Sequence, residues 1–335
     1  MKGRILITGA NGFIGYHLCK AMSETGYLLD AGVRKGSDTK LLGTLDTGKI
    51  RYVFPDYGSI DNLAHLLEEN KYDYVIHTAG ATKAPDWNIY KKINVDYSVN
   101  LAQAALKSKI NLTRFIFISS LAALGPVAYD QMEPIDENKH PQPVTSYGRS
   151  KMVAEQQLTA IPELPLTIIR PTAVYGPAEK DLLVLFQMFN KGLEAYIGSK
   201  PQTLSFVYIN DLVTAIMASL KPDPIKIRSY NISDGKAYQR NELAETFKQL
   251  TGRKTMKLHI PELLIKILAS GLEGLTALTG KTSVLNREKI SELTAQNWNC
   301  NIKAAVNDLA YHPQYDLYAG MKETIQWYKQ HKWLQ

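Results

Sequence analysis

Hydrophobic and polar positions in the first half of the chain alternate between short apolar runs and longer amphipathic segments. The first run places Ile5, Leu6 and Ile7 in succession before a glycine-rich turn, which is typical of a buried strand. Apolar positions at helical spacing follow this turn, and the same succession continues to residue 170. It predicts strands at 4–8, 27–33, 50–54, 74–78, 114–119 and 166–170, and helices at 13–23, 60–70, 95–108 and 146–160.

This alternation favours a parallel sheet covered by helices on both faces, because each return to a parallel strand needs a crossover connection. The predicted fold class is therefore α/β, with a doubly wound parallel sheet. In such sheets ligands bind beyond the carboxyl ends of the strands. Candidate functional residues are accordingly sought in the loops that follow predicted strands.

After residue 170 the pattern is less regular and predicts only strands at 206–209 and 229–232 and a helix at 241–250. Residues 261–278 are apolar but carry Glu262, Lys266 and Glu273 at helical spacing, which predicts an amphipathic helix in a smaller C-terminal lobe. Contact of this segment with a membrane surface or a hydrophobic substrate is the alternative. No linker rich in proline, glycine or serine is present, so the chain is expected to cross between its units. The expected division is 1–170 and 203–233 for the sheet domain, and 171–202 and 234–335 for the lobe.

Composition and charge narrow the class of function. The 335 residues are 45% hydrophobic and 21% charged, which is ordinary for a globular protein. The net charge of +7 favours anionic ligands, but Lys and Arg never run longer than two in a row. A nucleic-acid-binding protein more often has a concentrated basic stripe. We therefore expect a phosphate-bearing small molecule as ligand and no nucleic-acid partner.

Cysteine and histidine positions give no support for a metal site. Cys19 and Cys300 are far apart, and the seven histidines form no ligand cluster along the sequence. Two thiols without a disulfide framework suit a reducing compartment. The N-terminal residues lack the apolar region and cleavage site of a signal peptide, and no apolar run reaches membrane-spanning length. The sequence therefore predicts a cytoplasmic protein with no metal ion and no transmembrane segment.

The strongest local signal is a glycine-rich segment between the first predicted strand and the first predicted helix. Glycine permits positive φ and a close approach of the backbone to a ligand. The following helix presents free N–H groups and the positive end of its dipole to a pyrophosphate. Glycines alone also occur in turns without a ligand, but the strand before and the helix after favour a dinucleotide site. The residues predicted to bind the cofactor here are Gly9, Asn11, Gly12, Phe13, Ile14 and Gly15.

The end of the second predicted strand bears on which nicotinamide dinucleotide is bound. An acidic side chain there bonds the ribose 2′-hydroxyl, whereas a cation meets a 2′-phosphate. The sequence reads Gly32-Val33-Arg34-Lys35, with no acid, and the planar guanidinium of Arg34 can pair with a phosphate. An ordinary exposed loop arginine is the alternative role. NADP(H) is therefore favoured over NAD(H).

A candidate proton-transfer pair lies in the helix predicted at 146–160. Tyr147 and Lys151 are four positions apart and hence on one helical face. A free tyrosine has a pKa of about 10, and a nearby ammonium lowers that pKa towards the working range. Ser119 and Ser120 stand at the carboxyl end of a predicted strand, where a hydroxyl can hydrogen-bond a substrate carbonyl. Capping of a loop is the alternative role of both serines.

Together these elements resemble the extended short-chain dehydrogenases/reductases, the epimerase/dehydratase family. The glycine spacing is similar to the family's TGxxGxxG element, and residues 170–177 are similar to its RPxxVYGP segment. The family serine usually lies five residues before a glycine that matches Gly125, which selects Ser120. Val33-Arg34 and the C-terminal residues 323–328 look closest to the dihydroflavonol-reductase and 3β-hydroxysteroid-dehydrogenase-like branch.

The resemblance implies a Rossmann fold with a C-terminal substrate-binding lobe, and hydride transfer between nicotinamide and a carbonyl or secondary alcohol. Tyr147 would exchange the proton with a small-molecule substrate, Lys151 would lower the pKa of Tyr147 and hold the cofactor ribose, and Ser120 would position the substrate oxygen. The resemblance also implies a homodimer formed through the helices at 95–108 and 146–160. The further cofactor contacts that it implies, besides Tyr147 and Lys151, are at Asp56, Ala79, Gly80, Asn94 and Pro171.

Three other functions stay open on the sequence. A nucleotide-sugar epimerase uses the same centre and usually retains tightly bound NAD, and Arg34 argues mildly against it. A sugar dehydratase carries acidic residues after the serine, where this chain has Leu121 and Ala122. A non-catalytic dinucleotide-binding sensor often loses the tyrosine or the lysine, and this chain keeps both. No motif of the C-terminal lobe identifies the substrate.

Overall fold

A seven-stranded parallel sheet forms the centre of the protein. The computed structural model describes residues 2–45, 47–131, 133–263, 265, 291 and 293–334. The strands of the central sheet are β1 (Arg4–Thr8), β2 (Leu28–Gly32), β3 (Ile50–Val53), β4 (Tyr74–His77), β5 (Arg114–Ile118), β6 (Leu166–Pro171) and β11 (Ile227–Ile232). Their spatial order is β11-β6-β5-β4-β1-β2-β3, so the strand sequence runs outwards in one direction from β1 and in the other from β4, as it does in a doubly wound sheet. The predicted fold class is confirmed.

Helices cover both faces of this sheet. The helices of the described residues, some of which pack in the C-terminal half and not on this sheet, are α1 (Phe13–Met22), α2 (Ile60–Asn70), α3 (Trp87–Tyr90), α4 (Tyr97–Lys107), α5 (Ser146–Thr159), α6 (Asp181–Asn190), α7 (Ile209–Ala218), α8 (Glu242–Thr251), α9 (Lys303–Leu309) and α10 (Leu317–Gln330). A π-helical turn at Lys91–Asp96 joins α3 to α4, and 3₁₀ turns lie at Leu42–Thr44, Thr47–Lys49 and Leu121–Ala123. Side-chain caps fix several helix starts, for example Thr145 before α5, whose hydroxyl accepts from Gly148 N at 3.0 Å.

Alternate residues of each central strand enter two separate hydrophobic clusters. Ile5 and Ile7 of β1 pack with α1 and α7, whereas Leu6 faces the opposite cluster with α2, α4 and α5. In β5, Ile116 belongs to the same cluster as Ile5 and Ile7, and Phe117 belongs to the same cluster as Leu6. A strand buried on both faces needs apolar residues at successive positions, which explains the uninterrupted apolar runs in the sequence.

Three small two-stranded sheets lie outside the central one. Their strands are β7 (Ala173–Tyr175), β8 (Leu193–Ile197), β9 (Thr203–Leu204), β10 (Phe206–Tyr208), β12 (Tyr238–Gln239) and β13 (Met256–Ile260). β7 pairs with β10, β9 with β12, and β8 with β13. The pairs β9–β12 and β8–β13 join chain segments on both sides of β11, so the C-terminal half folds back on itself. The division into a sheet domain and a lobe stays a prediction.

Predicted elements before residue 170 agree with the structure to within one or two residues at most ends. The helix predicted at 95–108 begins earlier, because the π-helical turn extends it back to α3. Several elements after residue 170 were not predicted, among them α6, α9, α10, β8 and β13. The helix predicted at 261–278 falls outside the described residues except for 261–263 and 265. In the part of the chain that the structure describes, no helix has the length and apolar character needed to cross a bilayer.

Candidate active site

The loop between β1 and α1 is shaped by its glycines. Gly9 has φ +66°, and a Cβ on it would lie 2.7 Å from the backbone N and Cα of Ala79. A Cβ on Gly15 would overlap the backbone of Gly9, so this glycine allows the helix to pack on the loop. Gly12 caps α1 with an ordinary φ of −77°. The N–H groups of Phe13, Ile14 and Gly15 belong to the first turn of α1, where the helix offers them no carbonyl partner.

Residues predicted to contact the far end of a dinucleotide lie after β2 and β3. Arg34 is exposed, two residues beyond the end of β2, and forms no ion pair within the described ranges. Asn11 of the glycine loop donates to the carbonyl oxygen of Asp38 at 3.3 Å, which ties the loop after β2 to the glycine loop. Asp56 is also exposed, and its carboxylate accepts from Gly58 N at 3.1 Å and Asn62 Nδ2 at 2.9 Å.

The loop after β4 brings Ala79 and Gly80 between the glycine loop and α5. Ala79 N donates to the hydroxyl of Thr8 at 3.3 Å. A Cβ on Gly80 would lie 3.2 Å from Oδ1 of Asn94 and 3.4 Å from Nζ of Lys151. A bare backbone at Gly80 therefore keeps open the space beside the ammonium and the amide.

Asn94 is fully buried in the π-helical turn and fixes the loop after β4. Its Oδ1 accepts from Ala81 N at 2.7 Å, and its Nδ2 donates to Ala81 O at 2.9 Å and to the hydroxyl of Ser150 at 2.8 Å. The Ser150 hydroxyl donates to Tyr147 O at 2.7 Å. Asn94 thus connects the loop after β4 to the first turn of α5. A π-bulge inside a helix is frequent at functional sites.

A buried histidine extends these contacts back to β1. His77 Nδ1 lies 2.7 Å from the hydroxyl of Thr8, and its Nε2 lies 2.9 Å from the hydroxyl of Ser98. Ser98 donates to the carbonyl oxygen of Asn94 at 2.7 Å. Burial lowers the pKa of His77 to about 3, with a smaller contribution from the charge of Lys151. His77 is therefore a neutral hydrogen-bonding group at all ordinary pH values.

Helix α5 carries Tyr147 in its first turn and Lys151 one turn later. A Cβ on Gly148 would collide with the carbonyl oxygen of Ala122, so this glycine lets α5 approach the 3₁₀ turn that follows Ser120. The ring of Tyr147 is half-buried, with its centroid 6.4 Å from that of Tyr90. Close packing of α5 on the 3₁₀ turn brings the tyrosine and the serine segments together.

The ammonium of Lys151 lies inside the protein with a side chain that is almost wholly buried. Its Nζ donates to the carbonyl oxygen of Ile118 at 2.8 Å and lies 4.8 Å from the centroid of the Phe117 ring. Burial lowers the pKa of Lys151 to about 8, and the carboxylate of Glu155 opposes that shift. A lysine with this pKa exchanges protons near neutral pH far more readily than an exposed one.

The two serines after β5 have different partners. The hydroxyl of Ser119 is buried and donates to the carboxylate of Glu155. Ser120 is half-buried, and its hydroxyl oxygen accepts from Ala122 N at 3.2 Å, which caps the 3₁₀ turn. The hydroxyl proton of Ser120 is not used in that contact. Pro171, the last residue of β6, is buried beside this segment.

The structure brings most predicted site residues to one edge of the sheet. They lie next to the glycine loop that follows β1: Gly80 and Ser120 follow β4 and β5, Asn94 is in the π-helical turn, and Tyr147 and Lys151 are on α5. Arg34 and Asp56 lie beyond β1 at the ends of β2 and β3. Sequence reasoning missed the buried polar residues that support the site, although each interrupts an apolar stretch or a helix face. They are Thr8, His77, Ser98, Ser150, Glu155 and Arg170.

Comparison with known proteins agrees with this arrangement. Residues 5–233 match the model of the NAD-dependent epimerase/dehydratase family. The chain is 28% identical to a UDP-glucose 4-epimerase of Vibrio cholerae, over 97% of this chain and 95% of that protein. It is 25% identical to a ceramide reductase of Caulobacter vibrioides, over 99% of this chain and 96% of the relative.

The fold also matches solved structures. One is a UDP-glucuronic acid 4-epimerase from Bacillus cereus in complex with UDP-glucuronic acid and NAD, with a TM-score of 0.77 and 22% identity. The match covers 98% of this chain and 99% of that structure. The likeness extends over both the sheet and the C-terminal half. This protein belongs to the NAD-dependent epimerase/dehydratase family, within the extended short-chain dehydrogenases/reductases.

Proposed function

We propose that this protein is an NADP(H)-linked oxidoreductase that acts on a carbonyl or secondary alcohol of a small molecule, with Ser120, Tyr147 and Lys151 as its catalytic residues. The observation that carries the proposal is the buried ammonium of Lys151, one helical turn from Tyr147 and 3.4 Å from where a Cβ on Gly80 would lie. A buried ammonium beside a tyrosine favours the phenolate, which is the form that accepts a proton.

The residues present fit a dinucleotide. The glycine loop and the first turn of α1 would hold the pyrophosphate with backbone N–H groups. Gly80 leaves open the space beside Asn94 and Lys151 that a ribose would occupy. The remaining proposed contacts, in addition to the glycine-loop residues, are at Arg34, Asp56, Ala79 and Pro171. When bound, nicotinamide supplies the hydride donor or acceptor for the reaction.

Each catalytic residue has one proposed task. Tyr147 exchanges a proton with the substrate oxygen, and Lys151 stabilises the phenolate of Tyr147 by its charge. Ser120 donates a hydrogen bond from its hydroxyl group to the substrate oxygen, since its own oxygen already accepts from Ala122 N. Asn94 and Ser150 hold the first turn of α5 in place through the carbonyl oxygen of Tyr147. Alignment and stabilisation of charge on the oxygen then account for most of the rate enhancement.

The decisive test replaces Tyr147 by phenylalanine. Because only the hydroxyl is removed, cofactor affinity should change less than about threefold, whereas turnover on any carbonyl substrate found by screening should fall by about 10²–10⁴. Fluorescence titration with NADPH and steady-state kinetics measure the two effects. Turnover that survives in Tyr147→Phe would overturn the assignment of this residue.

The preference for NADP(H) rests on the end of β2. The strand ends at Gly32, and the nearest acid of that strand, Asp30, is held by Arg51 at 2.6 Å. Arg34, two residues beyond the strand, is free to meet a 2′-phosphate. Arg34→Ala should weaken NADPH about tenfold more than NADH, as calorimetric titration of both cofactors would measure. Equal weakening of the two would remove the basis of the preference.

A nucleotide-sugar epimerase is the second candidate function. The similarity to the UDP-glucose 4-epimerase over almost the full length of both chains favours it. An epimerase oxidises and re-reduces one bound sugar, so NAD retained through purification would support this alternative. The cytoplasmic location, the homodimer through α4 and α5, and the narrower reductase branch remain predictions from the sequence.

A further inference from the structure

One buried carboxylate joins the catalytic helix to two strands of the sheet. Glu155 lies one turn beyond Lys151 on α5, so Tyr147, Lys151 and Glu155 share a helical face. Its Oε2 accepts from Arg170 at 2.7 Å (Nη2) and 3.1 Å (Nε), and its Oε1 accepts from Arg170 Nε at 3.0 Å. The same Oε1 accepts from the hydroxyl of Ser119. Arg170 belongs to β6, and Ser119 directly follows β5.

These contacts attach the segment that carries Ser120 to helix α5. Ile118 accepts from Lys151, and the next residue, Ser119, donates to Glu155. Two successive residues at the end of β5 are therefore attached to two successive turns of α5. The distance between Ser120 and Tyr147 depends on both attachments. Loss of the carboxylate would remove one of them.

Glu155 also affects the electrostatic environment of Lys151, as the charged groups around the lysine show. On its own helix the lysine is near Glu155 and Tyr147; from β4 it faces His77, which is neutral because burial lowers its pKa to about 3. Arg170 of β6 faces the other side of Glu155, and its side chain and that of Glu155 are each less than a tenth exposed. Glu137, whose pKa burial raises, lies near Arg170 and not against the lysine. Among the residues that the structure describes, Glu155 is thus the carboxylate that acts on the ammonium from within the buried part of the site.

We propose that Glu155 is a positioning residue for the reaction: held by Arg170, it attaches α5 to the end of β5 and sets the pH at which Tyr147 and Lys151 lose their first proton. This inference rests on the proposed function, because it assumes that Tyr147 and Lys151 are the proton-transfer pair. It assigns the Arg170–Glu155 pair an electrostatic task in addition to packing.

The test measures phenolate absorbance of the full chain, saturated with NADP⁺, as the pH is raised. In the unmodified protein we expect one tyrosine to ionise well below the others, and Tyr147→Phe should abolish that step. In Glu155→Gln a negative charge is lost while Arg170 stays positive, so the first proton of the pair should leave about one pH unit lower. In Arg170→Met the unpaired carboxylate should move the same step upwards.

Matched variants separate this electrostatic role from a structural one. Arg170→Lys keeps the charge and should restore the midpoint of Arg170→Met to that of the unmodified chain. Asp30→Asn breaks a different buried carboxylate–arginine contact, far from Lys151, and should leave the midpoint unchanged. If Glu155→Gln folds poorly, Arg170→Met and Arg170→Lys alone decide the question.

The possible results distinguish the two proposals. Opposite shifts in Glu155→Gln and Arg170→Met support the inference, because a purely structural defect gives no reason for a change of sign. The inference is overturned if the midpoints of Glu155→Gln and Arg170→Met differ from that of the unmodified chain by no more than the midpoint of Asp30→Asn does. It is also overturned if both midpoints move in the same direction. A low step that persists in Tyr147→Phe instead contradicts the proposed function, since the ionising tyrosine would then be another residue.

Discussion

Two buried carboxylates, Asp30 in β2 and Glu155 in α5, are both paired with arginines, but they stand in different surroundings. Asp30 accepts from Arg51 at 2.6 and 2.9 Å and from the hydroxyl of Tyr72, and half of the Arg51 side chain is exposed. Glu155 accepts from Arg170, and both side chains are almost wholly buried. Similar chemistry thus occurs once near solvent and once inside the protein, next to a buried lysine.

The difference follows from position in a parallel sheet. Arg51 and Tyr72 lie near the starts of β3 and β4, on the side away from the glycine loop, whereas Glu155 faces the carboxyl end of β5. Ligands bind at the carboxyl ends, so only the second pair lies close enough to act on a reacting group. A buried ion pair can influence function when another charged group, which has no ion-pair partner of its own, lies beside it. Lys151, which forms no ion pair with the described residues, is that charge.

The largest effect is expected from removing the lysine itself. If Tyr147 acts as proposed, turnover of Lys151→Met should fall by about 10²–10⁴, because the tyrosine phenolate would lose the ammonium that stabilises it. Stability should move the other way. The pKa of Lys151 is about 8 in the folded chain, against 10.5 for an ordinary exposed lysine. Protonation therefore favours the unfolded state as the pH falls below 10.5, and the full destabilisation is present below pH 8.

The pH dependence of unfolding checks this sign. In the unmodified chain the lysine adds a rise in the free energy of unfolding as the pH increases from about 8 to 10.5, because the unfolded state then holds the extra proton. Lys151→Met should lack that rise and be more stable at pH 7 by about 1–2 kcal/mol, after the cost of leaving Ile118 O without its donor. Urea denaturation across that range measures it, and an unchanged slope would contradict the buried charge.

The sequence predicted the sheet of the first 170 residues because its strands are buried on both faces and its helices are amphipathic. It did not predict α6, since Asp181–Asn190 is apolar almost all round and offers no polar face to mark a helix. β13 was not predicted for a different reason. Its apolar residues Met256 and Leu258 are exposed, so the apolar positions of this strand do not mark a buried face. Hydrophobic periodicity detects an element whose buried face is apolar and whose exposed face is polar, and these two elements show little of that difference.

Within the candidate site, motif spacing identified the residues proposed to react but not the residues that hold them in place. Tyr147 and Lys151 stand out because four-residue spacing places them on one helical face. His77 and Glu155 are single polar residues in buried elements, and their partners Thr8, Ser98 and Arg170 come from distant parts of the chain. Such pairs depend on the register of one strand against another. Local periodicity does not encode that register, nor the π-helical turn that places Asn94.

A smaller effect, on stability alone, tests the comparison between the two pairs directly. Arg170→Met leaves Glu155 buried without its cation, which should lower the free energy of unfolding by about 3–5 kcal/mol. Arg51→Met removes a half-exposed partner from Asp30, and water and Tyr72 remain to solvate the carboxylate, so the loss should be about 1 kcal/mol. Urea denaturation of the two variants at pH 7 gives both values.

The double variant Glu155→Met/Arg170→Met provides the control for that measurement. With both charges gone, no ion is left buried without a partner, and two apolar side chains of similar length can occupy the space. Its stability should therefore recover most of what Arg170→Met loses, as buried pairs replaced by apolar residues often do. If the double variant stays as unstable as the single one, packing and the Ser119 contact hold α5 to the sheet, and charge does not distinguish this pair from Asp30 and Arg51. A different result is that the double variant recovers its stability while the single variant Arg170→Met shifts the pH midpoint of tyrosine ionisation. The pair would then contribute less to the stability of the fold than to the electrostatic potential at Lys151.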